Sequence, residues 1–396
     1  MRPATTTMPV AIDAAPPGDA PAAVPAADPA AQRARDLRLD FFRGLALWFI
    51  FLDHIPNNAV SWITLRNYGF SDAAEVFVFI SGYAATVAYA GVLARRGWLM
   101  AAAAILRRVW QLYAAHIMLF VAFTAQIAWF ALHKGRGAFL EEMNLLGFID
   151  DPTRVIVETA LLRFRPVNLD VLPLYIVLLA AFPLALPVVL RARWIALALS
   201  VLLYVLARRL DWNLAGYPEG KVWYFDPFAW QLVFMCGAVF AADGRIGERL
   251  RPWSRFLLPA AIAYLAFAAV VALSWEFPAL VRLVPDWLGR LLYPIDKTTL
   301  DPLRLAHFLA LAYIAQRVVP ADAPFLRGRL AAPLRLCGAH SLSVFCIGTF
   351  LSFSAQVALS TTEGSFAAQV AVSVAGIAIM VAAAAVAAWY RREARA

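Results

Sequence analysis

The sequence is poor in charge: Asp, Glu, Lys and Arg make up 15% of its 396 residues, against 62% hydrophobic residues and a mean hydropathy of +0.68. Soluble domains carry roughly a quarter charged residues, so this profile excludes a soluble enzyme and defines an integral membrane protein. Cysteine is scarce too. Cys236, Cys337 and Cys346 fall in apolar stretches without metal-type spacing and read as core thiols, which leaves neither a disulfide framework nor a metal site to expect. Residues 1–35 lack an uninterrupted apolar core followed by a small-residue cleavage site, so this Ala/Pro-rich segment reads as a disordered cytoplasmic tail rather than a signal peptide. Inverted repeats, which many transporters show, are absent. A net charge of +9 does not point to nucleic acid, because Lys and Arg sit in short groups between apolar runs rather than on one soluble face.

What the chain does have is apolar runs. About 20 helical residues, each rising ~1.5 Å, cross ~30 Å of hydrocarbon. Ten runs reach or approach that length: 41–59, 74–93, 109–132, 171–190, 194–207, 227–242, 256–275, 303–319, 336–359 and 367–390. The pattern predicts an all-α polytopic membrane domain over 36–396. If the N-terminus is cytoplasmic, positive residues on inner segments outnumber those on outer ones by nearly two to one, which places both termini in the cytoplasm. The longest outer segment, 133–170, carries Phe139, Leu140 and Met143, then Val155, Ile156 and Ala160, at amphipathic-helix spacing. It predicts two short helices along the outer face or over a cavity.

The first run carries ionisable groups that cost a few kcal/mol each in hydrocarbon unless paired or hydrated, so it is a site candidate. Arg43 lies near its inner edge and His54 in its outer third, 11 residues apart and so on one helix face. His54 suits a general base, with Asp53 or Glu75 as the carboxylate that orients it; Glu75 equally suits the N-terminal dipole of the second helix. Other residues at the outer level are Asp170, Tyr175, Asp226, Trp230, Gln231, Lys297, Asp301, Arg304 and His307, each of which can also cap or anchor a helix. With Trp212, Trp223, Tyr224 and Trp287 they compose a set suited to a sugar, aromatic faces for rings and carboxylates for hydroxyls. At the inner end Arg38, Arg43, Arg107 and Arg108 suit phosphates as well as topology, and His340 suits a helix cap.

The run Arg38-x-Asp40-x-x-Arg43-Gly44 ending in His54, followed by Glu75-Val-Phe77-Val-Phe79-Ile-Ser81-Gly82-Tyr83, resembles the acyltransferase-3 class of multispanning transferases. Asp53-His54-Ile-Pro56-Asn57, Arg66-Asn67-Tyr-Gly69-Phe70-Ser71-Asp72-Ala-Ala-Glu75, Leu172-Pro173-Leu-Tyr175, Phe225-Asp226-Pro227-Phe-Ala-Trp230-Gln231 and His340-Ser341-Leu-Ser343-Val-Phe345 are more specifically similar to the OpgC family, from about 38 to 390. Two features depart from the wider class: Ala73-Ala74-Glu75 replaces its Gly-Val-Asp, and the histidine that often closes its late Ser-Tyr motif is absent after Ser343.

The resemblance implies a bacterial inner-membrane enzyme with ten spans that transfers succinyl groups to osmoregulated periplasmic glucans. His54 would be its catalytic histidine, Arg43 the first-helix arginine and Glu75 the acidic position. The expected mechanism holds the phosphates of acyl-CoA, a co-substrate rather than a resident cofactor, at Arg38, Arg43 and Arg107 or Arg108. His54 activates a glucan hydroxyl or takes the acyl group first, and Arg304 or Lys297 receives the succinyl carboxylate. Expected partners are the glucan, acyl-CoA and the lipid bilayer, with self-association an open option and nucleic acid excluded. Two other readings share these features: an enzyme acylating another exported polysaccharide or lipid, and a glycan or small-molecule transporter.

Overall fold

The computed structural model describes residues 36–133, 137–362 and 364–394. The expected tail over 1–35 lies outside them, as do Lys134, Arg136 and Arg395 of the charge pattern. Among the described residues the chain is helical, without a β-sheet.

Helix α1 spans Leu37–Asp53. It stops three residues before Pro56, whose ring disfavours helical backbone in the residue ahead of it. The His54 N–H still bonds the Ile50 carbonyl at 3.1 Å, so His54 closes the last turn. The chain reverses through two 3-10 turns, Ala59–Ile63 and Leu65–Tyr68, into α2, Ala73–His133. The runs expected over 74–93 and 109–132 share this 61-residue element, which bends at Gly97, where φ is +78°, a value glycine reaches without steric penalty.

Short helices α3 (Ala138–Glu142), α4 (Leu146–Asp150) and α5 (Pro152–Ala160) follow, three where two were expected. Next come α6 (Val171–Arg191), α7 (Arg193–Arg209) and α8 (Pro227–Asp243). Beyond α9 (Ile246–Leu250) lie α10 (Ser254–Leu273), the short α11 (Pro278–Val281) and α12 (Asp286–Leu292), and α13 (Pro302–Val318). The run expected over 336–359 divides at His340 into α14 (Ala332–Ala339) and α15 (Ser341–Thr361), and α16 (Phe366–Glu393) completes the chain. His340 occupies the junction without a side-chain capping bond, so its expected capping role is one of position only. Five helices, α2, α6, α10, α15 and α16, are long and apolar enough to cross a membrane.

Two glycine pairs set how α1 and α2 pack. A Cβ on Gly44 of α1 would strike the Leu334 carbonyl of α14, and one on Gly338 of α14 would strike the Asp40 carbonyl of α1. In the same reciprocal way Gly82 of α2 meets the Phe234 carbonyl of α8, and Gly237 of α8 meets that of Phe79. Backbone touches backbone at both crossings. In a bilayer, where burying apolar surface gives little advantage over lipid, such close approach is a main source of helix association. It fixes the two helices that carry His54 and Glu75.

Candidate active site

A cavity of about 750 Å³ opens at the end of the bundle where α1 stops and α2 begins. That volume suits a small molecule or part of a larger one. Asp53 and His54 line it from α1, Arg66 from the second 3-10 turn, Asp72 from the head of α2 and Asp170 from the head of α6. Lys297 and Arg304 close another side, and Tyr217, Lys221 and Tyr224 contribute from the loop ahead of α8. The segment carrying the short helices adds Asn144, Arg163 and Arg165.

The head of α2 is built by a local sequence device. The Asp72 carboxylate accepts the Ala74 N–H at 2.8 Å and the Glu75 carboxylate accepts the Asp72 N–H at 3.0 Å, a reciprocal capping box. Both acids also hold cations from 225 or more residues away. Arg304 bonds Glu75 at 2.7 and 2.8 Å and Asp72 at 3.1 Å, and Lys297 pairs with Asp72. Glu75 is fully buried. Burial disfavours the Asp72 carboxylate, but Lys297 and Arg304 beside it outweigh that and hold its pKa well below the usual carboxylate range.

This arrangement corrects the expected partnership of His54 with a carboxylate. Asp53 accepts the Thr64 hydroxyl at 2.7 Å, Glu75 is taken up by Arg304 and the capping box, and Nδ1 of His54 is buried without a hydrogen-bond partner. The physical reason is helical: adjacent residues point ~100° apart, so Asp53 turns from the imidazole, while Glu75 is used by its own helix end. Lys297 and Arg304, the expected carboxylate clamp, line the cavity with part of their donors engaged by Asp72 and Glu75.

Several outer-level candidates support the cavity without lining it. Asp226 caps α8 through the Phe228 N–H at 2.9 Å, and its own N–H bonds the Thr298 carbonyl at 3.1 Å. Trp230 donates Nε1–H to the Lys297 carbonyl at 3.0 Å, so the two fix the turn that presents Lys297. Burial pushes the Asp226 carboxyl up to about 6. Asp301 caps α13 through the Leu303 N–H, Gln231 ties α8 to Ser200 of α7, and His307 holds Ser71 at 2.7 Å. Tyr175 packs on Phe234 inside the bundle. Of the aromatic set, Tyr224 faces the cavity, whereas Trp223 is buried beneath the Arg165 guanidinium, 4.4 Å from its ring centre. Arg165 in turn holds Asp170 at 2.9 Å, which offsets only part of the burial that keeps that carboxyl above its ordinary range.

The inner-end arginines occupy a different part of the bundle. Arg43 donates to the Ile80 carbonyl at 3.1 Å, Arg38 to the Val319 carbonyl at 3.4 Å and Arg108 to Gln111 at 3.1 Å, while Arg107 is exposed. Arg66, Asp72 and Arg165 were not anticipated as site residues. The Asp72-x-x-Glu75 spacing did carry the capping-box signal and Arg66 opens a family-like motif, but nothing local marks Arg165.

Helices of membrane-crossing length and apolarity, with a polar, charge-lined cavity at one end of the bundle, define a helical membrane protein with a candidate active site in it. The sequence matches the family described as OpgC protein over residues 35–392, nearly its whole length, and the chain belongs to that family. Membership places it among transferases as a membrane acyltransferase. No curated protein and no solved structure gives a significant match.

Proposed function

We propose that the protein moves a succinyl group from cytoplasmic succinyl-CoA to hydroxyls of an osmoregulated periplasmic glucan across the bacterial inner membrane, with about ten spans, both termini cytoplasmic and the broader acyltransferase-3 class as its kin. The carrying observation is His54 in the wall of the polar cavity of an OpgC-family chain. Arg38, Arg43 and Arg108, held by acceptors in another part of the bundle, are the candidates for a second, phosphate-binding region for the donor.

In this reading the CoA phosphates lie at Arg43, Arg107 and Arg108, with Arg38 at the outer edge of the group. The His54 imidazole takes the proton of a glucan hydroxyl as its oxygen attacks the thioester carbonyl. The carbon–sulfur bond breaks, the ester forms, and the proton passes to the departing thiolate. Tyr217 and Tyr224 offer ring faces to the sugar. Asp170 accepts one of its hydroxyl hydrogens.

Purified protein in vesicles, supplied with labelled succinyl-CoA and glucan, is expected to move label to the glucan. His54→Ala should lower that rate by roughly 10²–10⁴-fold, the usual contribution of a general base, while inserting normally. Unchanged incorporation in the variant would remove His54 from the chemistry. Label staying on CoA with the wild type would favour a transporter.

A further inference from the structure

The cations of the cavity wall fall into two kinds. Lys297 and Arg304 are paired with Asp72 and Glu75, Arg165 with Asp170 at 2.9 Å and Arg163 with Glu158 at 3.3 Å. Arg66 and Lys221, both exposed, have no carboxylate within 4.0 Å among the described residues. What distinguishes Arg66 is its anchorage. Its Nη1 donates to the Asp53 carbonyl at 3.2 Å, the peptide unit leading directly into His54. The turn that carries it is tied down on both sides, by Asn67 to the Ser61 carbonyl at 2.7 Å and by the Thr64 hydroxyl to Asp53 at 2.7 Å.

A guanidinium has five N–H donors in a planar fork, so one bond to the Asp53 carbonyl leaves four for a ligand. The fork matches a carboxylate, which Arg binds through two parallel bonds. We infer that Arg66 receives the free carboxylate of a dicarboxylic acyl group while its thioester carbonyl lies at His54. This rests on the acyl-transfer reading and names the residue that selects the acyl group. In a four-carbon diacid only two methylenes separate the carboxylate from the thioester carbonyl, on the order of 4–5 Å at ~1.5 Å per bond. Two groups that close must be read by neighbouring residues, and an arginine bonded to the peptide ahead of the catalytic histidine meets that requirement. The carboxylate stays unchanged through the reaction; Arg66 positions the acyl group and discriminates between donors.

The test compares succinyl-CoA with butyryl-CoA, which has the same chain length and no carboxylate, on full-length protein in vesicles with glucan as acceptor. Arg66→Gln is expected to lower kcat/KM for succinyl transfer roughly ten- to a hundredfold more than for butyryl transfer, the worth of a charged hydrogen-bonded pair. Arg66→Lys, which keeps charge but loses the fork, should fall between. Because the readout is a ratio within one preparation, partial misfolding cancels. Equal loss with both donors, or no loss with either, overturns the assignment. Wild-type protein that acylates glucan from neither donor overturns the acyl-transfer reading and this inference with it, whereas an Arg66→Gln ratio equal to wild type in an active enzyme overturns this inference alone.

Discussion

The Asp226 carboxylate sits under the turn that presents Lys297, and its chemistry can be read from outside the membrane helices. Its carboxyl is pushed up to about 6 by burial, against ~3.9 in an unfolded chain. Between those values the unfolded chain has released this proton and the folded one keeps it, so its stabilising contribution is full below about pH 4 and is lost as pH rises through 6. Wild-type melting temperature in detergent should therefore decline by a few degrees across that window, and Asp226→Asn, which keeps a capping side chain, should flatten the decline. An identical slope in the two proteins would show that another group titrates. At this scale the sequence was legible in part. His54, Asp53, Lys297 and Arg304 do meet at one cavity, whereas the partners of each depend on hydrogen bonds between residues up to 232 apart, which no local spacing encodes.

Among elements, the glycine crossings explain the middle of two sequence motifs. Arg43-Gly44 and Ser81-Gly82 could be matched to a family as strings, yet nothing in them says why glycine stands there. The reason is the Leu334 carbonyl in one case and that of Phe234 in the other. Gly82→Ala is expected to push α2 from α8, cost about 1–3 kcal/mol as an overpacked contact does, and lower the melting temperature of detergent-solubilised protein. A variant as stable as wild type would mean the crossing opens freely. Each apolar run falls largely on helix, five of these helices reach membrane-crossing length, and joined elements and breaks escaped the pattern. Gly97 bends a helix that hydropathy alone divides into two, and His340 interrupts a run that hydropathy leaves whole.

Taken as a whole molecule, the chain brings together at the His54 end residues made far apart in time. Glu75 is fully buried and its cation, Arg304, lies 229 residues downstream. At ~5–20 residues per second a ribosome needs roughly 10–50 s to reach it. Until then α2 presents a carboxylate with no countercharge, a state costing a few kcal/mol in hydrocarbon. A chain lacking α13 therefore leaves Glu75 without the Arg304 guanidinium that holds it, and is expected to be less stable in the membrane for that reason. A chain truncated after Lys297 should be degraded quickly in a pulse-chase, and the same truncation carrying Glu75→Gln should last severalfold longer. Equal half-lives would show that the unmatched acid is not what marks the incomplete chain.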